Sequence, residues 1–273
     1  MKSPRVMGII NVTPDSFSDG GVHFDRGVAI ESALRMVEDG AAIIDVGGES
    51  TRPGAEPISV DEELERVIPV IEGIRAKCEV AISIDTRNAA MARAAFAAGA
   101  GILNDVSALQ HDPEILDAAV EANAPVILMH MRGTPATMQS LAKYDDVIDD
   151  LLRELAPAVE RARSAGLDQV FIDPGIGFAK TFDHNLEILA RCEELTRVAP
   201  VVIGASRKAF IGHMTGREGR ERVHGSLAAV AAAALGGASI VRVHDVRETV
   251  DFLKVFTAIE SAECRAQSAE GRR

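Results

Sequence analysis

Ile172-Asp173-Pro174-Gly175-Ile176-Gly177-Phe178-Ala179-Lys180-Thr181 ends the apolar run Val170 to Ile172 and opens a helical pattern. An Asp closes a buried strand, and a Pro and two Gly release the chain into a tight loop. This order sets a carboxylate at the mouth of a parallel sheet. The same grammar recurs along the chain. Strands are expected at Val6–Val12, Ala42–Gly47, Ala81–Asp85, Gly101–Val106, Val126–His130, Val170–Asp173, Val201–Ala205 and Ser239–His244. Helical patterns lie near Asp25–Asp39, Val60–Lys77, Asn88–Ala98, Asp112–Ala122, Asp146–Ala165, Asn185–Val198 and Glu221–Leu235, with a last one over Val246–Ala262. Eight strand–helix alternations in about 250 residues are the arithmetic of an α/β fold, a single (β/α)8 TIM barrel. An open doubly wound sheet would carry a glycine fingerprint after its first strand, and Asn11 to Gly21 lacks one.

Local signals agree. Asp25 and Asp112 suit helix N-caps, the second with Pro113 at the first helical position. Gly40, Gly99 and Gly166 each follow a helical pattern and suit its left-handed terminus. Residues 1–262 read as one barrel domain, and residues 263–273 as a polar C-terminal tail that frays.

The chain has 273 residues, 47% of them hydrophobic, but only 4% aromatic with no Trp and one Tyr, so the core must be aliphatic and Ala-rich. A formal charge of −12 argues against a nucleic-acid surface. An anionic substrate must then be met by local Arg, Lys or metal. Cys78, Cys192 and Cys264 are scattered and fit reduced thiols in a cytoplasm. Met1 to Arg5 leads straight into a strand, with no room for a signal peptide. The apolar stretch Ser226 to Val241 breaks at Gly236-Gly237 and reads as a helix end plus a strand, not a membrane span. On the last helix, Val246, Val250 and Leu253 share a face that can cover the barrel. Phe252, Val255, Phe256 and Ile259 gather on another, which suits a homodimer interface.

In such barrels chemistry sits at the carboxyl ends of the strands, and here every strand ends in a polar or charged group: Asn11; Asp45 to Arg52; Asp85; Asn104-Asp105; His130; Asp173; Ser206 to Lys208; and Arg242 to Asp245. Asp45, Asp105 and Asp245 also suit loop capping or pairing with Arg, and His130 suits a satisfied core histidine. Asp85, Asn104, Asp173 and Lys208 mix acceptors and donors, which suits a heterocycle with ring N–H, exocyclic amine and carbonyl groups. Asn11, Thr51, Arg52, Arg242 and His244, with Gly-rich loops, suit a phosphate or pyrophosphate. Asn11 can also offer an oxygen to Mg²⁺, which takes few protein ligands and bridges phosphates. There is no Cys/His cluster for zinc and no Gly-x-Ser-x-Gly elbow for acyl transfer.

The run Gly8 to Gly21 resembles the first signature of the dihydropteroate synthase family of pterin-binding enzymes. Asp45–Gly54 (DVGGESTRPG), Ser83–Thr86 (SIDT), Asn104–Ser107 (NDVS), Asp173–Thr181 (DPGIGFAKT), Ser206–Lys208 (SRK) and Arg242–Asp245 (RVHD) resemble the rest, in order. The resemblance implies a folate-pathway transferase. It would join 6-hydroxymethyl-7,8-dihydropterin pyrophosphate to 4-aminobenzoate, releasing pyrophosphate, with Mg²⁺ as cofactor. It puts the pterin on Asp85, Asn104, Asp173 and Lys208, and the pyrophosphate on Asn11, Thr51, Arg52, Arg242 and His244. The aminobenzoate falls on Pro53, Phe178, Ser206 and Lys208, beneath the first two loops. Asp85, Asp173, Lys208 and Arg242 would act on the reaction itself, and sulfonamides would meet Phe17, Pro53 and Phe178. Two other readings stand beside it: the methyltetrahydrofolate-binding barrel of corrinoid methyltransferases, which needs no pyrophosphate cluster, and a non-catalytic pterin-binding paralogue.

Overall fold

The computed structural model describes residues 3–13, 26–49, 58–134 and 137–270, with side chains to residue 262. All eight expected strands are present: β1 (Arg5–Asn11), β2 (Ile43–Gly47), β3 (Ala81–Asp85), β4 (Ile102–Asp105), β5 (Val126–Met129), β6 (Val170–Asp173), β7 (Val202–Ile203) and β8 (Ile240–Val243). They form one parallel sheet in the order β6-β5-β4-β3-β2-β1-β8-β7. A bridge between Ile172 and Val201 joins β6 to β7 and closes the ring. The expected TIM barrel is the fold.

Side chains on a strand alternate between faces, and this period builds the site. Met7, Ile43, Ile102, Ile127, Val202 and Ile240, with Phe171 against them, pack together as an apolar layer inside the barrel. Two residues further along the same strands stand Ile9, Asp45, Asn104, Met129, Gly204, Arg242 and Asp173. The apolar floor thus gives way to a largely polar layer on the same inward parity. Most of the other parity is aliphatic: Ile10, Ile44, Val46, Ile82, Ile84, Leu103, Leu128, Ile172, Val201, Val241 and Val243 join the main core beneath the helices, with the buried Asp105 ending that face of β4. Each such side chain removed from water contributes about 1.5–3 kcal/mol, so a slip of one residue would expose the core and bury the site's charges.

Around the sheet run α1 (Arg26–Glu38), α2 (Val60–Arg75), α3 (Ala89–Ala97), α4 (Ile115–Glu121), α5 (Val147–Ser164), α6 (Phe182–Ala190), α7 (Cys192–Leu195), α8 (Ala209–Thr215), α9 (Val223–Leu235) and α10 (Val246–Glu270). Gly40, Gly99 and Gly166 have φ of 101°, 110° and 97°, as their helix-ending positions require. The apolar stretch from Ser226 falls in α9 and β8. Among the described residues no helix is long and apolar enough to cross a membrane.

Four local expectations need correction. Asp112 does not cap α4, which starts at Ile115; its carboxylate accepts from Glu114 N–H and from Ala89 N–H at the start of α3. The helix after β6 begins at Phe182, because Thr181 forms a capping box with His184, and it breaks at Arg191 into α6 and α7. A short helix, α8, follows β7 where none was expected. The last helix stays helical to Glu270, past the expected end at Ala262. The expected cap Asp25 lies outside the described residues.

Candidate active site

The loop after β6 is held by its own hydrogen bonds. Asp173 is 6% exposed, and its Oδ1 accepts from Gly175 N–H at 2.7 Å. Gly175 has a φ of 69°, and a Cβ there would lie 2.1 Å from the His130 carbonyl oxygen, so only Gly fits. Gly177 N–H donates to Asn185 Oδ1, and Tyr144 O–H donates to the Ala179 carbonyl. Lys180, within the same loop, is 3% exposed. Its ammonium donates to the Phe178 carbonyl at 3.0 Å and to His130 Nδ1 at 3.1 Å. His130 Nε2 in turn meets Glu154 Oε2 at 2.8 Å, so His130 is a satisfied core histidine, as expected. Burial lowers its pKa to about 4, helped by the Lys180 charge. Burial also lowers Lys180 to about 7.

Across the mouth, the inward parity brings Asp45, Asp85, Asn104 and Arg242 together. Arg242 Nε donates to Asp45 Oδ2 at 2.6 Å, and a terminal nitrogen donates to Asp85 Oδ2 at 2.7 Å. Asn104 Nδ2 donates to the same Asp45 oxygen at 3.2 Å. Burial pushes Asp85 up to about 7, against the pull of Arg242 and with the push of Asp45. Burial also raises Asp173, partly offset by the Gly175 N–H and by Lys208. Lys208 is lowered to about 8 by burial, and Asp173 opposes that shift. The Lys208 ammonium lies 4.3 Å from the Phe178 ring centroid, within cation–π range.

Ser206 and His244 close the ring. The Ser206 hydroxyl accepts from His244 N–H at 3.2 Å and lies 3.1 Å from His244 Nδ1. Burial, with Arg207 and Arg242 nearby, lowers His244 to about 3 and keeps the imidazole neutral. Arg207 pairs with Asp245 and ties the loop after β7 to the loop after β8. Asp105 accepts from Ser107 N–H and Leu109 N–H. Asp105 and Asp245 are therefore loop-fixing groups. Asn11 ends β1 half-buried, and no described residue hydrogen-bonds its side chain.

The barrel thus brings Asp85, Asn104, Asp173, Lys208, Arg242, Ser206, His244 and Phe178 to one mouth. Thr51, Arg52, Pro53 and Phe17 lie outside the described residues. Arg242 turns inward onto two carboxylates, Asp45 and Asp85. Sequence reasoning missed Lys180, whose side-chain partner, His130, follows another strand. It read Asp45 as a loop-capping or Arg-pairing residue; the pairing, with Arg242, is present, and its inward parity also sets it in the mouth.

A model of the family described as pterin binding enzyme matches residues 7–244. The chain is 48% identical to the dihydropteroate synthase of Escherichia coli (strain K12), over 96% of this chain and 94% of that one. It is similar to the Xanthomonas albilineans dihydropteroate synthase solved with 4-aminobenzoic acid (TM-score 0.88, 48% identity, 94% and 93% covered). It is also similar to the Yersinia pestis dihydropteroate synthase in a sulfonamide drug complex (TM-score 0.90, 44% identity, 95% of each chain covered). With the inward polar ring in the same order as the sequence motifs, these likenesses establish that the chain belongs to the pterin-binding enzymes and, among them, to the dihydropteroate synthases.

Proposed function

We propose that the mouth binds 6-hydroxymethyl-7,8-dihydropterin pyrophosphate and 4-aminobenzoate and joins them to 7,8-dihydropteroate, releasing pyrophosphate. The observation that carries the assignment of residues is the meeting of Asp85, Asn104, Asp173 and Lys208 at one buried mouth. The carboxylates and the Asn amide accept from the pterin's ring N–H and amine groups, and the Lys208 ammonium donates to its carbonyl. Departure of pyrophosphate leaves positive charge on the methylene and ring. Asp85 and Asp173 stabilise that charge without moving. The aminobenzoate amine then attacks, so no covalent enzyme intermediate is needed. Phe178, Ser206 and the Lys208 stem, with Pro53, line the aminobenzoate side.

Arg242 and His244, with Asn11, Thr51 and Arg52, take the pyrophosphate. Nε and Nη2 of Arg242 stay on Asp45 and Asp85, and Nη1 is the donor left for the pyrophosphate. The neutral His244 offers a hydrogen bond in the resting site, and an incoming anion raises its proton affinity. Asn11 fits Mg²⁺: its amide oxygen is a hard donor with no protein partner among the described residues, and this ion needs few protein ligands. When bound, Mg²⁺ neutralises charge on the pyrophosphate. A homodimer through α10 and a cytoplasmic location complete the reading. Val255 and Ile259 on that helix are 62% and 60% exposed, while Val246 and Leu253 are buried against the barrel.

The division of labour is tested with Arg242→Ala. It should weaken the pyrophosphate-bearing substrate at least about tenfold more than the bare pterin, measured by calorimetry, because charge-assisted bonds to an anion are lost. Equal losses would contradict the assignment.

A further inference from the structure

Asp45 is a carboxylate of the mouth with no exposure at all. Its Oδ2 accepts from Asn104 Nδ2 and Arg242 Nε. Its Oδ1 has no partner among the described residues, nor does Oγ of Ser83, its register partner on β3. A buried carboxylate is costly, and here the compensating donors are Asn104 of the pterin pocket and Arg242, which also holds the pocket's Asp85.

The consequence lies in what each neighbour has left. An amide has a donor end and an acceptor end. With Nδ2 committed to Asp45, the end of the Asn104 amide left for a ligand is its carbonyl oxygen. Arg242 spans Asp45 and Asp85, so it holds Asp85 Oδ2 and leaves Asp85 Oδ1 open. Asp173 Oδ1 is held by Gly175 N–H, which leaves Oδ2 open. Three side chains thus present one acceptor oxygen each, with the other end tied down.

We propose that Asp45 is a positioning residue for substrate selection: through Asn104 and Arg242 it fixes a row of acceptors that demands a donor-rich heterocycle edge. The proposal rests on the pterin-pocket reading and goes beyond it by naming what the pocket rejects. A 2-amino-4-oxo pteridine offers donors to the row. Its 2-oxo counterpart replaces the amine with an acceptor and sets oxygen against oxygen. Without Asp45 the Asn104 amide can turn over and offer Nδ2 instead, so the preference is lost.

The test compares 6-hydroxymethylpterin with its 2-oxo analogue by calorimetry on the full chain. Wild type should prefer the 2-amino compound. Asp45→Ala should cut that preference at least about tenfold, the scale of one hydrogen bond exchanged for a clash. Asp45→Asn, which keeps an acceptor oxygen, should recover part of it. A wild-type preference in Asp45→Ala, or a proportionate loss of both ligands, overturns the proposal, since a merely structural residue would weaken both alike. Should the variants not fold, the Asn104 Nδ2 protons of unliganded wild type are followed by NMR exchange. Protection supports the proposal and free exchange overturns it. The pocket reading fails separately, and takes the proposal with it, if Asp173→Asn leaves pterin affinity unchanged.

Discussion

Asp173 carries one oxygen held by the Gly175 N–H and one free for a ligand, so replacing only its acceptor chemistry should leave the loop standing. Asp173→Asn puts a donor against ring N–H groups, and pterin affinity should fall about 10–100-fold by calorimetry, as for a buried group left unpaired. Unchanged affinity would refute the role. The pH dependence follows from two neighbours. Asp85, raised to about 7, must be ionised to accept, so pterin capture weakens as pH falls below that value. Lys208, lowered to about 8, must be protonated to donate, so capture weakens as pH rises above it. The profile of kcat/KM for the pterin substrate should therefore be a narrow bell between those limbs, and a flat profile from pH 6 to 9 would contradict it. Asp85, Asn104 and Asp173 were legible in the sequence because a strand's last inward residue needs only period two and a loop signal. Lys180 was not, because its role rests on His130, fifty residues away along the chain. Asp45 was legible as a residue but not as a function, since one carboxylate suits an ion pair and a binding site equally well.

The element that concentrates these constraints is the loop after β6. Its conformation depends on Gly175 at a φ of 69° against the His130 carbonyl, and on Lys180 bridging Phe178 to β5. Gly175→Ala adds both backbone strain and a clash, about 3 kcal/mol or more in sum. In calorimetric unfolding Tm should fall by at least about 5 °C, and turnover should fall with it. A Tm within one degree of wild type would show that the loop tolerates another conformation. Strand positions were readable because buried parallel strands are continuous apolar runs. Cap positions were less so. Asp112 sits one loop away from two helices, and sequence distance favoured α4 although its carboxylate also reaches α3. Thr181 was passed over because the polar first turn of α6 resembles a loop until His184 is seen to complete the capping box.

Across the whole molecule, the barrel divides its labour by parity and by end: aliphatic outward faces hold the helices, an apolar inward layer forms the floor, and the inward layer above it carries the site. On α10, Phe252 and Phe256 stack at 5.4 Å and pack against the main core, contrary to their expected place on a separate face, and the exposed apolar patch beside them is Val255 and Ile259. If that patch joins two copies, light scattering should give twice the monomer mass at micromolar concentration, and Val255→Asp with Ile259→Asp should return the monomer. A wild-type monomer would refute the dimer. The central claim, that the convergent strand ends make a pterin transferase, is tested most directly by pyrophosphate release. The purified chain is given the dihydropterin pyrophosphate and Mg²⁺, with or without 4-aminobenzoate. The account predicts release coupled to dihydropteroate formation that requires the aminobenzoate and is lost in Asp173→Asn. No product from wild type, or methyl transfer from methyltetrahydrofolate in its place, would contradict it.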